Sequence, residues 1–177
     1  MARIPYYDLS KASPEVAEAM KDRLPLNIYR MILHGGKTAI SFLALGRTLL
    51  TMSEIDPKLR ELVVLRVGAL CGSNYEVVQH RKLASKAGVS VEKIEAVLAD
   101  PVRDVHPDLF NDMEQAVLRF TDSVVRDVKA PDPLFKEVAA RLPHQQLVEL
   151  LMTIGFYMLA SRISENLEID LEDTAPH

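Results

Sequence analysis

The segment from Asp56 to Leu70 places the strictest limit on what this chain can fold into. Asp56-Pro57 is a helix start, a capping side chain followed by proline at the first helical position. Behind it, Leu62 to Leu70 is apolar except for Arg66. A helix apolar on most faces must be buried on most faces. Leu147 to Ala160, interrupted only by Glu149, Thr153 and Gly155, makes the same demand. A chain of 177 residues has room for about one such central helix. Two of them predict that another subunit covers part of this surface, hence a homo-oligomer. Leu147 to Ala160 is too short to span a bilayer and contains Glu149, so no membrane role is expected.

Elsewhere helix signals recur and strand signals do not. Ser13-Pro14 opens a short helix to about Lys21, and Asn27 is placed to cap Ile28 to His34. Gly35-Gly36 interrupts that segment before Thr38 to Leu50 resumes it. Gly72-Ser73 ends the Asp56 helix, and the next runs from Asn74 to about Lys86, closed by Gly88. Ser90 starts a helix that ends before Pro101, and a loop over Asp100 to Asp108 follows. Met113, Val117, Phe120, Val124 and Val128 then fall on one helical face. Pro131 and Pro133 mark a turn and Pro143 another, before a long helix from about His144 to Glu168 and a polar tail. No repeat or linker divides the chain. The expectation is an all-α single domain over 1–177, a bundle of seven or eight helices around a central helical hairpin.

Composition removes several function classes. Apolar residues make up 48% and charged ones 26%, the mix of a globular protein. A net charge of −4 with scattered Lys and Arg gives no pull toward nucleic acid or an anionic membrane. Cys71 is the single cysteine, so no internal disulfide can form. Met1 to Asp8 contain no apolar signal core, and a cytoplasmic location is expected. The five histidines are dispersed and Glu76–His80 is only half of a metal site, so neither metal nor other cofactor is expected.

The reactive side chains concentrate between Arg60 and His80. Glu61 sits on the apolar helix, where charge is least welcome, and Cys71 closes that helix. Glu76 and His80 are four apart on the next helix and share a face. An antiparallel hairpin across Gly72-Ser73 would bring Glu61 to them. A carboxylate beside an imidazole is a workable acid–base pair, because it orients the ring and raises its basicity. Bland readings stand beside this one. Ser73-x-x-Glu76 is also a capping box. Glu61 can pair with Arg60 or Arg66, and Cys71 reads as a small buried hydrophobe. Tyr75, Tyr157 and His34 are candidates to line the same cavity, with core packing as the alternative.

The run R-E-L-V-V-L-R-V-G-A-L-C-G-S-N-Y-E-V-V-Q-H, Arg60 to His80, resembles the carboxymuconolactone decarboxylase family, which includes the alkylhydroperoxidase D-like proteins. The likeness extends to N-I-Y-R-M-I-L-H (Asn27 to His34) and Q-L-V-E-L-L-M-T-I-G-F-Y-M-L-A (Gln146 to Ala160), with the core family region about 38–128. The resemblance implies an all-α fold built on a helical hairpin and assembly as a trimer, hexamer or related oligomer. The redox branch of the family uses a glutamate, a C-x-x-C pair and a histidine four residues after the second cysteine. Glu61 and His80 match the first and last, while Ser73 and Glu76 stand where the cysteines would be. Cys71 lies two residues before the first of those positions. A dithiol peroxidase needs one thiolate to attack peroxide and another to resolve the sulfenic acid, so that mechanism is not expected here.

The decarboxylase branch needs no cysteine pair, and its substrates are small carboxylated lactones. The resemblance thus implies a cofactor-free enzyme, a decarboxylase or related lyase, acting on a small carboxylated or carbonyl compound through Glu61, Glu76 and His80. An anionic substrate would also need a cationic clamp, for which Arg66, Arg81 and Arg30 are candidates. Two other functions stay open: peroxiredoxin-like antioxidant activity through Cys71 alone, and a non-catalytic helical oligomer that binds a ligand.

Overall fold

The computed structural model describes residues 1–99 and 108–172. The described residues are all helical apart from turns and connections, with nine α-helices. These are α1 (Pro14–Met20), α2 (Asn27–Ile32), α3 (Lys37–Thr51), α4 (Pro57–Leu70), α5 (Asn74–Ala87), α6 (Val91–Leu98), α7 (Asp112–Asp127), α8 (Asp132–Ala139) and α9 (His144–Asn166). Except for Asp108, the loop expected over Asp100 to Asp108 lies outside the described residues. Two compact units emerge. One comprises Met1–Met52 and the described residues from Ile163 onward; the other is built from Ser53–Arg162.

In the first unit, Ser13 caps α1 by accepting from the Val16 N–H. The N-terminal segment is tied to the residues after α9. The Arg3 N–H donates to the Leu167 carbonyl, and the Arg3 guanidinium pairs with Glu168 at 2.7 Å. Asn27 does not cap α2. It lies inside the helix, and its amide donates to the Asp170 carbonyl instead.

In the second unit, α4 is the central helix, and every residue from Leu59 to Gly68 is buried. Asp56 accepts from the Lys58 and Leu59 N–H groups and starts it. Leu62 and Leu65 pack with Ala84 of α5, Ile94 and Val97 of α6 and Leu118 of α7. Arg66, wholly buried, ties the helices together. Its guanidinium grips Asp122 of α7 at 2.6 and 2.8 Å and donates to the Val97 and Ala99 carbonyls. A cation there satisfies the last carbonyls of α6 and complements that helix's dipole.

Two glycines shape the α4–α5 hairpin. Gly72 adopts φ +68, which lets its N–H reach the Ala69 carbonyl and the Ser73 N–H reach that of Gly68. At Gly68 a Cβ would come within 3.2 Å of the Val77 side chain and 3.5 Å of Glu76 Cβ. The bare glycine therefore allows α5 to approach closely.

The α9 segment of this unit is long and apolar enough to cross a membrane by composition alone. Here it buries Leu150, Ile154, Tyr157 and Ala160, as a core helix does, and leaves Val148, Leu151, Met152 and Leu159 exposed.

Two further sequence expectations change. Pro131 and Pro133 read as turn markers, yet they begin α8. Proline in a first helical turn lacks only an N–H that has no intrahelical partner. Val128 was placed on the buried face of α7, but the helix ends before it. It adopts φ +68 and is 86% exposed. A β-branched residue in that region is strained and here gains no burial in return. Val128→Gly should therefore stabilise the protein by about 1 kcal/mol. A urea midpoint no higher than that of the parent would show that the position carries no such strain.

Candidate functional site

The α4–α5 hairpin brings Glu61 against the face of α5 that carries Glu76 and His80. Oε2 of Glu61 lies 2.8 Å from Nδ1 of His80, and Oε2 of Glu76 lies 3.6 Å from Nε2 of the same ring. The imidazole thus stands between two carboxyl groups. All three side chains are buried, Glu61 to 1% exposure. The other oxygen of Glu61 accepts from Arg60, whose Nε and Nη2 are each 3.3 Å from Oε1. From α9, Tyr157 packs edge-to-face on His80, with ring centroids 4.8 Å apart and planes at 84°. Four points thereby fix the ring: Glu61 at one nitrogen, Glu76 at the other, the α5 backbone, and the tyrosine.

Chemically, an Nδ1–H donated to Glu61 leaves Nε2 facing Glu76 with a lone pair or a proton. Burial pushes the Glu76 carboxyl up from the usual carboxylate range, and the His80 charge pulls against that rise. A carboxyl that holds its proton at higher pH than usual, next to an imidazole nitrogen, is equipped to pass a proton in either direction.

The capping-box alternative for Glu76 is not realised. Ser73 makes no side-chain cap, and its N–H is already donated to Gly68 in closing α4. The glutamate is left to the imidazole.

The remaining candidates fall in different places. Tyr75 is buried in the first turn of α5. Arg66 does not serve as an anion clamp, because it is fully buried on Asp122 and two carbonyls. Arg81 pairs with Glu95 on the outside of α5. His34 and Arg30 belong to the first unit. There His34 Nε2 lies 2.8 Å from the Pro5 carbonyl, and Arg30 stacks over the Tyr6 ring. Cys71, at the end of α4, is half-buried beside Ser161 and Arg162. Burial raises its thiol from the usual range, against the lowering influence of those two neighbours. Among the described residues, no group of three or more His, Cys, Asp or Glu is placed to hold a metal.

Sequence reasoning gave Arg60 no part in the site, treating it only as a bland partner for Glu61. Adjacent residues on a helix do not face each other, so nothing in the spacing announced that Arg60 would hold the carboxylate that meets the imidazole. The available signal was two consecutive charges on a helix with no exposed face.

Residues 37–105 match the model of the carboxymuconolactone decarboxylase family. The matched segment is 69 of the 177 residues. It contains Glu61, Glu76 and His80. No curated protein sequence matches the chain. Among solved structures, the chain resembles the alkylhydroperoxidase AhpD core of an uncharacterised peroxidase-related protein from Ralstonia eutropha JMP134. The TM-score is 0.81 at 15% identity, covering 97% of this chain and 93% of that one. A peroxidase-related protein from Silicibacter superposes with TM-score 0.76 at 14% identity, over 97% and 94% of the two chains. The debrominase Bmp8, in complex with 2,3,4-tribromopyrrole, gives 0.75 at 18% identity, over 98% and 95%. At these identities the likeness is one of fold.

Glu76 supplies a pH test. Its folded pKa is raised, so its contribution to stability is fully present below the ordinary carboxylate range and is lost as pH rises through the folded value. Glu76→Gln, which keeps the shape and cannot ionise, should melt above the parent at pH 7 to 8, with the difference vanishing toward pH 4. A thermal midpoint lower than the parent's at neutral pH would mean that Glu76 is held there as a stabilising anion.

Proposed function

We propose that this protein is a cofactor-free acid–base enzyme acting on a small carbonyl or carboxylated compound, with His80 as the proton carrier. The observation that carries this reading is the 2.8 Å contact between Glu61 Oε2 and His80 Nδ1, both groups being buried. A buried ion or hydrogen-bonded pair costs desolvation that hydrophobic residues of similar size would avoid. Two buried carboxyl groups converging on one ring are better explained by chemistry than by stability. In the reaction, His80 Nε2 takes a proton from carbon beside a carbonyl, or returns one to the carbanion left as carbon dioxide departs. Glu61 holds the tautomer and offsets the charge of the imidazolium. Glu76 exchanges the proton with Nε2. Arg66 and Arg81, the second unit's two expected anion clamps, are committed to Asp122 and Glu95. A carboxylate on the substrate must therefore find a different cationic partner. A decarboxylase or related lyase is the reaction class that both the family and the site support.

Peroxidase chemistry through Cys71 is less well served. A thiol raised by burial yields less thiolate at neutral pH. Positions 73 and 76 hold serine and glutamate, so no second sulfur follows. The relatives of this fold named for peroxidase or debrominase activity share too little sequence to outweigh that.

The test is turnover. Small ketones and carboxylated lactones, incubated in deuterium oxide, should exchange hydrogen beside the carbonyl or release carbon dioxide. His80→Ala and Glu61→Gln should each lower the rate by about 100-fold or more. Full activity in either variant on a substrate the parent turns over would sink the assignment.

The oligomer expected from the apolar helices is likewise a proposal. Val148, Leu151, Met152 and Leu159 form an exposed stripe on one side of α9. Gly155 in its midst has open space where a side chain would stand, so a second helix could approach closely. A second copy of this chain is the occupant that an apolar, self-complementary helix face suits. Leu151→Glu combined with Met152→Lys should reduce the mass measured by light scattering to that of a monomer. An unchanged mass would place the interface elsewhere.

A further inference from the structure

The two oxygens of Glu61 are divided between two partners. Oε2 meets His80 Nδ1 at 2.8 Å, and Oε1 meets two nitrogens of the Arg60 guanidinium at 3.3 Å. Arg60 is itself 8% exposed. A guanidinium is planar, permanently charged and able to fix a carboxylate with more than one N–H.

We propose that Arg60 is the positioning residue of this site: its guanidinium, placed on Oε1 of Glu61, sets how tightly the Glu61–His80 pair keeps its shared proton. The inference deepens the acid–base reading and rests on it for its functional meaning. The direction follows from charge counting. With Glu61 and His80 treated as one unit holding a single proton, loss of that proton takes the unit from neutral to negative. A neighbouring cation stabilises the negative form, and so makes the proton easier to release. This conclusion does not depend on which of the two carries the proton. The other groups that face the ring do not reverse the sign. Glu76 on α5 opposes proton loss in the parent and in the variants alike, and Tyr157 from α9 presents its ring to the imidazole.

Arg60 therefore favours release of the proton that the pair shares. Its charge is spent on Glu61, so Arg60 is a different kind of cation from one that clamps an anionic substrate.

The experiment is a pH titration of the full-length protein with isotope-labelled histidine, observed by NMR. The His80 signals are identified by their loss in His80→Gln. In Arg60→Gln, the apparent pKa of the His80 ring should rise by roughly one unit or more. Arg60→Lys, which keeps the charge, should titrate close to the parent. In a Glu61→Gln background, the change Arg60→Gln should move the His80 titration much less, because the arginine acts through the glutamate. Arg60→Met, which preserves the buried stem, gives the same reading should the glutamine variant fail to fold. A His80 titration unmoved or lowered in the folded neutral variants would overturn the proposal, as would an equal shift with and without Glu61. These outcomes are separate from the acid–base reading, which fails on its own if His80→Ala retains turnover.

Discussion

The hydrogen bond between Glu61 and His80 is the interaction around which the second unit is arranged. A carboxylate at 1% exposure in the middle of an apolar helix is tolerable only with partners in place. His80 takes one oxygen and Arg60 the other, so neither oxygen is left without a partner. The bond requires α5 to lie close against α4, in antiparallel register and with its Glu76–His80 face turned inward. Gly68 permits the approach, and the closure at Gly72 turns the chain. Neither is a feature of the site itself, yet both are conditions for it.

Arg66 solves a similar problem on the opposite side of the same helix. It is as buried as Glu61 and lies five residues further along, but it pairs outward to α7 and to the end of α6. Arg66 and Glu61 thus divide the labour. One anchors the central helix to its packing partners, and the other faces the imidazole. A helix interior with ordinary hydrophobes at both positions would pack as well. The glutamate is therefore the residue whose presence asks for a functional reason, while the arginine has a structural one.

Much of the fold was legible locally. The caps at Ser13, Asp56 and Ser90 are formed as their residue types suggest, and the breaks at Gly72 and Gly88 fall where expected. Legibility ended where one residue type supports two outcomes. Pro133 reads as a turn, yet it also suits a helix's first turn, and α8 used that option. Asn27 has the chemistry of a cap, but the residues after α9 claimed its side chain. The periodicity that carried Met113 to Phe120 into the core ran on to Val128 on paper. The chain left the helix one residue earlier because it must turn toward α8.

The sequence by itself determined that the protein is helical, that Glu76 and His80 share one helical face, and that the chain carries a single sulfhydryl, at Cys71. These are consequences of period and of residue identity, and no packing arrangement can alter them. Only the tertiary structure decided which charges meet. Arg60, Arg66 and Arg81 have the same chemistry and comparable positions on α4 and α5, but they end on Glu61, Asp122 and Glu95. The long side chains of Arg66 and Arg81 reach across elements, so their partners are chosen by interhelical distance and not by sequence spacing, while Arg60 folds back on its own neighbour. For the same reason Ser73 and Glu76, which could have capped each other, were separated when the hairpin closure took the Ser73 N–H and the imidazole took the carboxyl.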